Sequence, residues 1–304
     1  MVLAALLVFV PLHEVLDALA QVPGWVWPVS LAVYLALHLV GVAKWRLLIN
    51  TAGAGLTFAQ AARCYYYGLF GNLFLPSIVG GDVVRAGMAL RMTRSVSGLL
   101  LGSMVDRVQD IVGLAALAGL GALLLPAALD ERSRGVFTGL AILLVVSAVV
   151  AVLVARLIPV RRLPYKVRRK LASVRHALRR LGRRPASMAA AFVMGMLLQA
   201  LLVVLNAWLG DVVGIEISLV VWLFVWPLAK IAAVVPVTQG GIGVREAAIV
   251  ALFQPFNVNA AQAMATGLIF EGVVIMGGLL AGAIALLLGR RAAALPVSKP
   301  AEGS

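Results

Sequence analysis

Five apolar runs, of 18 to 24 residues each, set the terms on which this chain can fold. They cover residues 25–43, 111–129, 135–155, 186–209 and 272–289. About 20 apolar residues in a helix cross the hydrocarbon core of a bilayer. In that core a helix keeps its own backbone hydrogen bonds, which lipid cannot replace. Two further apolar stretches, 58–79 and 217–256, are interrupted by Gly, Pro or charge and read as re-entrant or broken segments. Residues 2–20 read as a short first span, with His13, Glu14 and Asp17 near its end. The expectation is an all-α integral membrane protein with six to eight transmembrane helices. Composition agrees: 62% of the 304 residues are hydrophobic and 12% charged, where soluble domains run near 45–50% and 25%. That balance excludes a soluble globular enzyme and a disordered chain.

A net charge of +14 would suit a nucleic-acid binder if it were spread over the fold. It is not. Residues 156–184 hold 12 of the 26 basic residues and no acid, which leaves 14 basic against 12 acidic elsewhere. A basic segment between two apolar runs points to the anionic surface of the inner leaflet, and no nucleic acid is expected. Val167, Leu171, Val174, Leu178 and Leu181 recur at spacings of three and four, the stripe of an amphipathic surface helix. Lys/Arg bias makes this segment cytoplasmic. The basic residues Lys44–Arg46, Arg85, Arg91 and Arg94 then also fall inside, as does the tail at 291–304, provided both broken stretches return to the side they left. The lone Cys64 allows no internal disulfide, and His13, His38 and His176 have no metal-ligand spacing. No metal or cofactor is expected.

The most informative feature is an internal repeat. Residues 76–85 read PSIVGGDVVR and residues 236–245 read PVTQGGIGVR, both P-x3-G-G-x3-R. Each copy follows a broken stretch, and each is followed within a long helix by an acid, Asp110 or Glu271. Three spans separate the copies, an odd number, so the expectation is an inverted repeat, as in many transporters. Repeat one covers about 45–130 and repeat two about 210–290. Pro76 and Pro236 end the preceding half-helix. The pairs Gly80-Gly81 and Gly240-Gly241 allow close backbone approach or φ > 0. A helix start follows, with Asp82 near its N-terminus. Its free N–H groups, together with Arg85 or Arg245, would suit an anionic lipid headgroup. The plainer reading is a tight turn with a snorkelling arginine.

Other charges lie in or near apolar surroundings, where they default to functional hypotheses. Asp106, Arg107, Gln109 and Asp110 form one cluster, with Arg107 placed to pair with Asp110 at i+3. It reads equally as a structural ion-pair knot or as part of a polar pathway, and Glu271 carries the same ambiguity. Lys230 is flanked by apolar residues for ten positions before it and five after, so it needs a partner or an aqueous cavity; Glu246 and Glu271 are the candidates. Tyr65–Tyr67 and the aromatic stretch 222–226 read as interface anchors or packing.

These residues carry a family resemblance. Phe70-Gly71-Asn72-Leu73-Phe74-Leu75-Pro76, Gly80-Gly81-Asp82-Val83-Val84-Arg85, Asp106-Arg107, and Pro236-Val237-Thr238-Gln239-Gly240-Gly241-Ile242-Gly243-Val244-Arg245-Glu246 resemble the lysylphosphatidylglycerol synthase transmembrane region, or flippase-like domain, family. The resemblance covers about 45–289. It implies one flippase-like membrane domain, here residues 1–290, with Asn72, Gln239 and Glu246 joining the polar set. In some members this domain moves an aminoacylated phospholipid between leaflets, and others are linked to polyprenyl-phosphate or glycolipid pathways. Synthase members carry a soluble C-terminal aminoacyl-transferase domain, whereas this sequence stops 15 residues after Gly289. Glu271 also stands near a place where the family often has Arg.

The leading expectation is therefore a translocator of an anionic phospholipid, aminoacyl-phospholipid or polyprenyl-phosphate-linked lipid in the cell membrane. A non-transporting membrane partner of a glycosyltransferase or lipid synthase is the alternative. A lipid-modifying enzyme fits less well, because Asp106 and Asp110 have no second acidic motif to complete a divalent-cation site.

Overall fold

The structure, a computed structural model, describes residues 12–75, 80–125, 176–233 and 243–294. Among these it is helical, without strands. The helices are α1 (Leu12–Ala20), α2 (Val26–Thr51), α3 (Phe58–Gly71), α4 (Gly80–Ala89), α5 (Val96–Leu124), α6 (Pro185–Val212), α7 (Leu219–Ala232), α8 (Val244–Phe253) and α9 (Ala260–Ala294). Four of them, α2, α5, α6 and α9, are long and apolar enough to cross a membrane. Residues 2–11 of the expected first span, the expected run 135–155, most of the basic segment, Pro76, Pro236, Gln239, Gly240 and Gly241 lie outside the described residues.

Local sequence sets the helix starts. Thr57 and Gln60 form a reciprocal capping box at α3. The Ser95 hydroxyl caps α5 by accepting from the Gly98 N–H. At the start of α9 the Asn259 Oδ1 accepts from the Ala261 N–H. Gly243 stands before α8 with φ 87°, a conformation that favours glycine.

The broken stretch 58–79 holds the short helix α3, with the short helix α4 directly after it, and 217–256 holds the short helices α7 and α8, so the order of elements recurs. Helices α2 to α5 have 26, 14, 10 and 29 residues, and α6 to α9 have 28, 14, 10 and 35. Packing between these two four-helix units is reciprocal. α3 of the first unit lies on α9 of the second, and α7 of the second lies on α5 of the first. α2 packs on α6, and the crossed pairs α2–α9 and α5–α6 also touch. Among the described residues two large apolar clusters fill the interior, and a smaller one lies at residues 177–181. One large cluster gathers Trp222, Trp226, Phe253 and Phe270 and the other Trp45, Cys64, Tyr66 and Ala281. Large apolar side chains such as Met104, Leu123, Val193 and Leu287 are exposed, as suits helices facing lipid.

Residues 176–182 are helical. Here the end of the amphipathic stripe meets protein: Leu181 is buried with the neighbouring Ala177 and with Ala52, flanked by Leu101, Val105 and Met188. The sequence pattern marks an apolar face without saying what covers it, and at this end the cover is the α2–α5 side of the fold.

Candidate functional site

Lys44 shows how the site departs from the sequence pattern. The apolar run stops at Ala43, which makes Lys44 look like a loop cation. The helix continues to Thr51 because nothing breaks it before Gly53, whose φ is 104°. Lys44 is therefore inside α2, with only 2% of its side chain exposed. Its Nζ lies 3.0 Å from Asp106 Oδ1 on α5 and also pairs with Asp110. Asp106 and Asp110 are one turn apart on the same face, and that face is turned to α2.

Arg85, on α4, completes this first centre. Its Nη2 is 3.0 Å from Asp82 Oδ1 and 3.0 Å from Asp106 Oδ2. Arg107 pairs with Asp82, not with Asp110 as the i+3 spacing predicts. The reason is competition: Lys44 already holds Asp110, and α4 brings Asp82 to the other side of Arg107. Likewise the acid that meets Arg85 is Asp106, one turn before the Asp110 that the repeat pattern marks. Gln109 points away, donating to the Met188 carbonyl on α6 at 3.1 Å. Three cations and three carboxylates balance. The Arg85 guanidinium stacks on the Trp45 ring at 4.7 Å and the Tyr65 ring at 5.1 Å. The Nε groups of Arg85 and Arg107 are buried with no acceptor among the described residues.

The second centre has the same plan. Arg245 on α8 is buried and donates to Glu246 Oε1 through Nε at 3.1 Å and Nη2 at 2.7 Å. Its Nη2 also reaches Glu271 Oε2 on α9 at 2.5 Å. Trp226 and Phe270 lie against the guanidinium at 5.6 and 5.1 Å. Each repeated arginine is thus gripped by an acid from its own short helix and one from the following long helix, between two aromatic rings. Here two carboxylates face one cation.

The helix N-termini are less open to an anion than the sequence implies. The Gly81 N–H donates to Asn72 Oδ1 at 2.6 Å, and the Gly243 N–H donates to Glu246 Oε2 at 2.6 Å. Gly81 is glycine because α3 passes so near that a Cβ would meet the Gly68 carbonyl and the Asn72 amide. Gly80 sits against Leu75.

Lys230 meets neither Glu246 nor Glu271. Its Nζ donates to Gln199 Oε1 on α6 at 2.9 Å. α7 carries Lys230 toward α5 and α6, while the two glutamates are drawn onto Arg245. Lys230 lies between the centres and lines a cavity on each side. The first, about 120 Å³, is also lined by Lys44, Arg85, Asp106, Arg107, Asp110 and Gln199. The second, about 370 Å³, is lined by Arg245, Glu271, Phe270, Tyr34 and the apolar Leu73, Phe74, Val274, Ile275 and Leu279. His38, Leu69, Asn72, Leu202 and Lys230 belong to both walls.

An aromatic string joins the centres on the α2 side. Tyr65, stacked on Arg85, is hydrogen-bonded through its hydroxyl to His38 Nδ1 at 3.2 Å. His38 packs edge-on to Tyr34 at 4.4 Å, Tyr34 packs edge-on to Phe270 at 6.2 Å, and Phe270 lies against Arg245. Sequence reasoning passed over Lys44, His38, Gln199 and Tyr34. Their one sequence signal is a lone polar group inside an apolar helical run. Among the described residues no group of three or more His, Cys, Asp or Glu is placed to hold a metal ion.

The arrangement pairs the buried cations of the first centre with carboxylates and holds Lys230 on a neutral amide between the two centres. Neither a curated protein nor a solved structure matches the chain. The family model described as the lysylphosphatidylglycerol synthase TM region matches residues 1–282, which include both arginine centres and Lys230. The chain therefore belongs to the lysylphosphatidylglycerol synthase transmembrane-region family, a membrane domain linked to lipid metabolism.

Proposed function

We propose that this protein translocates a lipid with a phosphate-bearing headgroup between the leaflets of the cell membrane. The headgroup would be that of an anionic phospholipid, an aminoacyl-phospholipid or a polyprenyl-phosphate-linked lipid. One observation carries the reading: two arginine centres, one in each four-helix unit, flank adjoining cavities that share Lys230, His38 and Asn72. A polar headgroup crossing a bilayer must exchange water for protein partners throughout, because bare hydrocarbon would cost several kcal/mol for each unsatisfied polar group. Adjoining polar cavities supply such partners in sequence.

In this reading the two units are inverted repeats within a single domain. The first centre serves the cytoplasmic side and the second the external side. The basic segment 156–184 and the tail at 291–304 face the cytoplasm. The unpartnered Nε groups of Arg85 and Arg107 are available to headgroup oxygens. Asp82 and Asp106 keep Arg85 oriented between visits, Glu246 and Glu271 keep Arg245 oriented, and Asn72 fixes the start of α4 through the Gly81 N–H.

The test is translocation by purified protein in vesicles. Fluorescent phosphatidylglycerol in the inner leaflet should become accessible to an external quencher when wild-type protein is present. Arg85→Gln and Arg245→Gln should each lower the rate at least tenfold, a barrier higher by about 1.4 kcal/mol or more. Unchanged leaflet exposure for every phosphate-bearing lipid tried, with folded wild-type protein, would overturn the proposal.

A further inference from the structure

We infer that Lys230 is the seat where the lipid phosphate rests, and that the two repeated arginines, each already matched by carboxylates, meet the headgroup only in passing. The inference rests on the translocator reading and deepens it.

Five cations line the two cavities, and four are already matched. Lys44, Arg85, Arg107 and Arg245 each have a carboxylate within 4.0 Å. Lys230 has none among the described residues. Its ammonium carries three donors, and its hydrogen bond goes to the neutral Gln199 amide. A cation at membrane depth whose hydrogen bond goes to a neutral amide, with no carboxylate in contact among the described residues, is costly. A phosphate oxygen beside Nζ would supply the missing charge and a charge-assisted hydrogen bond. Asn72 and His38, in the walls shared with Lys230, can donate to the remaining oxygens.

The second cavity shows why the phosphate belongs to a lipid. Phe74, Ile275 and Leu279 line it and are also exposed at the surface of the helices, at 61%, 40% and 51%. One side of the cavity is thus continuous with the lipid-facing exterior. A headgroup can reach Lys230 while its chains lie along Phe74 and Leu279. A soluble phosphate has no use for that apolar wall.

Binding is read separately from transport. Wild-type protein in detergent is titrated with dioleoylphosphatidylglycerol, dioleoylglycerol or sn-glycerol 3-phosphate. Tryptophan fluorescence reports binding, and mass spectrometry reports acylation of Lys230 by an amine-reactive ester. Phosphatidylglycerol should bind and protect Lys230, and dioleoylglycerol should not. Lys230→Gln should weaken phosphatidylglycerol binding about tenfold or more, and Lys230→Arg should restore most of it. Protection in the wild-type protein tests the seat even if Lys230→Gln does not fold. Equal acylation of Lys230 with and without phosphatidylglycerol overturns the seat. Full protection by sn-glycerol 3-phosphate at the same concentration overturns its assignment to lipid. Binding and protection at Lys230 without translocation in vesicles would leave the seat standing and remove the translocator reading. Translocation by wild type and Lys230→Gln at the same rate would do the reverse.

Discussion

Lys44 on α2 and Asp106 on α5 lie 3.0 Å apart across 62 positions of sequence, with both side chains almost wholly withdrawn from solvent. The pair is the keystone of a larger set, because Asp106 is shared with Arg85 and Lys44 is shared with Asp110. Removing one member of such a set leaves its partner charged and buried, which costs more than the pair itself contributes.

Lys44→Met should therefore destabilise the protein by about 3–5 kcal/mol. Adding Asp110→Asn to Lys44→Met should recover part of that loss, because one orphaned carboxylate becomes neutral. Equilibrium unfolding in mixed detergent micelles measures both. Wild-type stability for the single variant would mean that solvent reaches the set freely.

Gly68→Ala and Gly87→Ala should separate close packing from helix propensity. A Cβ on Gly68 would stand 2.8 Å from the Gly81 carbonyl and 3.1 Å from Arg85 Cβ. It should force α3 and α4 apart, cost about 1–3 kcal/mol and slow translocation. A Cβ on Gly87 meets nothing within 4 Å, so that variant should be neutral or slightly stabilising, by up to about 1 kcal/mol. Thermal unfolding of the two proteins side by side is sufficient.

Gly41→Ala should act through Tyr65. The added methyl would run into the Tyr65 hydroxyl, with the ring carbon Cζ 2.7 Å away. Tyr65 would shift off the Arg85 guanidinium and lose its bond to His38. Translocation should fall, and Tyr65→Phe in the same chain should restore part of it by removing the nearest atom. If Tyr65→Phe gives no relief, the obstruction lies elsewhere.

Arg85→Lys should not be a conservative change. One guanidinium nitrogen reaches both Asp82 and Asp106 while the plane stacks on Trp45 and Tyr65. An ammonium has neither the planar fork nor the same stacking. Translocation should drop about tenfold although the charge is kept, and Trp45→Leu, which removes the stack and the Trp45 bond to Ser103 but keeps Arg85, should slow it less. Rates in vesicles for the two variants give the comparison.

Much of the plan was readable from residues alone, for definite reasons. Long apolar runs announce spans because length and hydropathy suffice. The repeated P-x3-G-G-x3-R marked two short helices after broken stretches, and the acids downstream marked the long helices that meet them. Partner choice was not readable. Asp106 and Asp110 share a face, so only the position of α2 and α4 decides which cation each receives. Lys44 was hidden by sitting at the end of an apolar run, where a loop cation would also sit. Gln199 and His38 were lone polar groups in apolar helices, and nothing in one dimension says that both face the same cavity as Lys230.

The reciprocal packing bears on how the chain is made. The end of α3 and the start of α9, its partner, are 189 residues apart. Helices α2 to α5 must therefore wait in the bilayer during synthesis with one flank uncovered. They can wait because Lys44, Arg85 and Arg107 find Asp82, Asp106 and Asp110 inside their own half. The half that emerges first is electrically complete on arrival, so its insertion need not be held up until the second half exists.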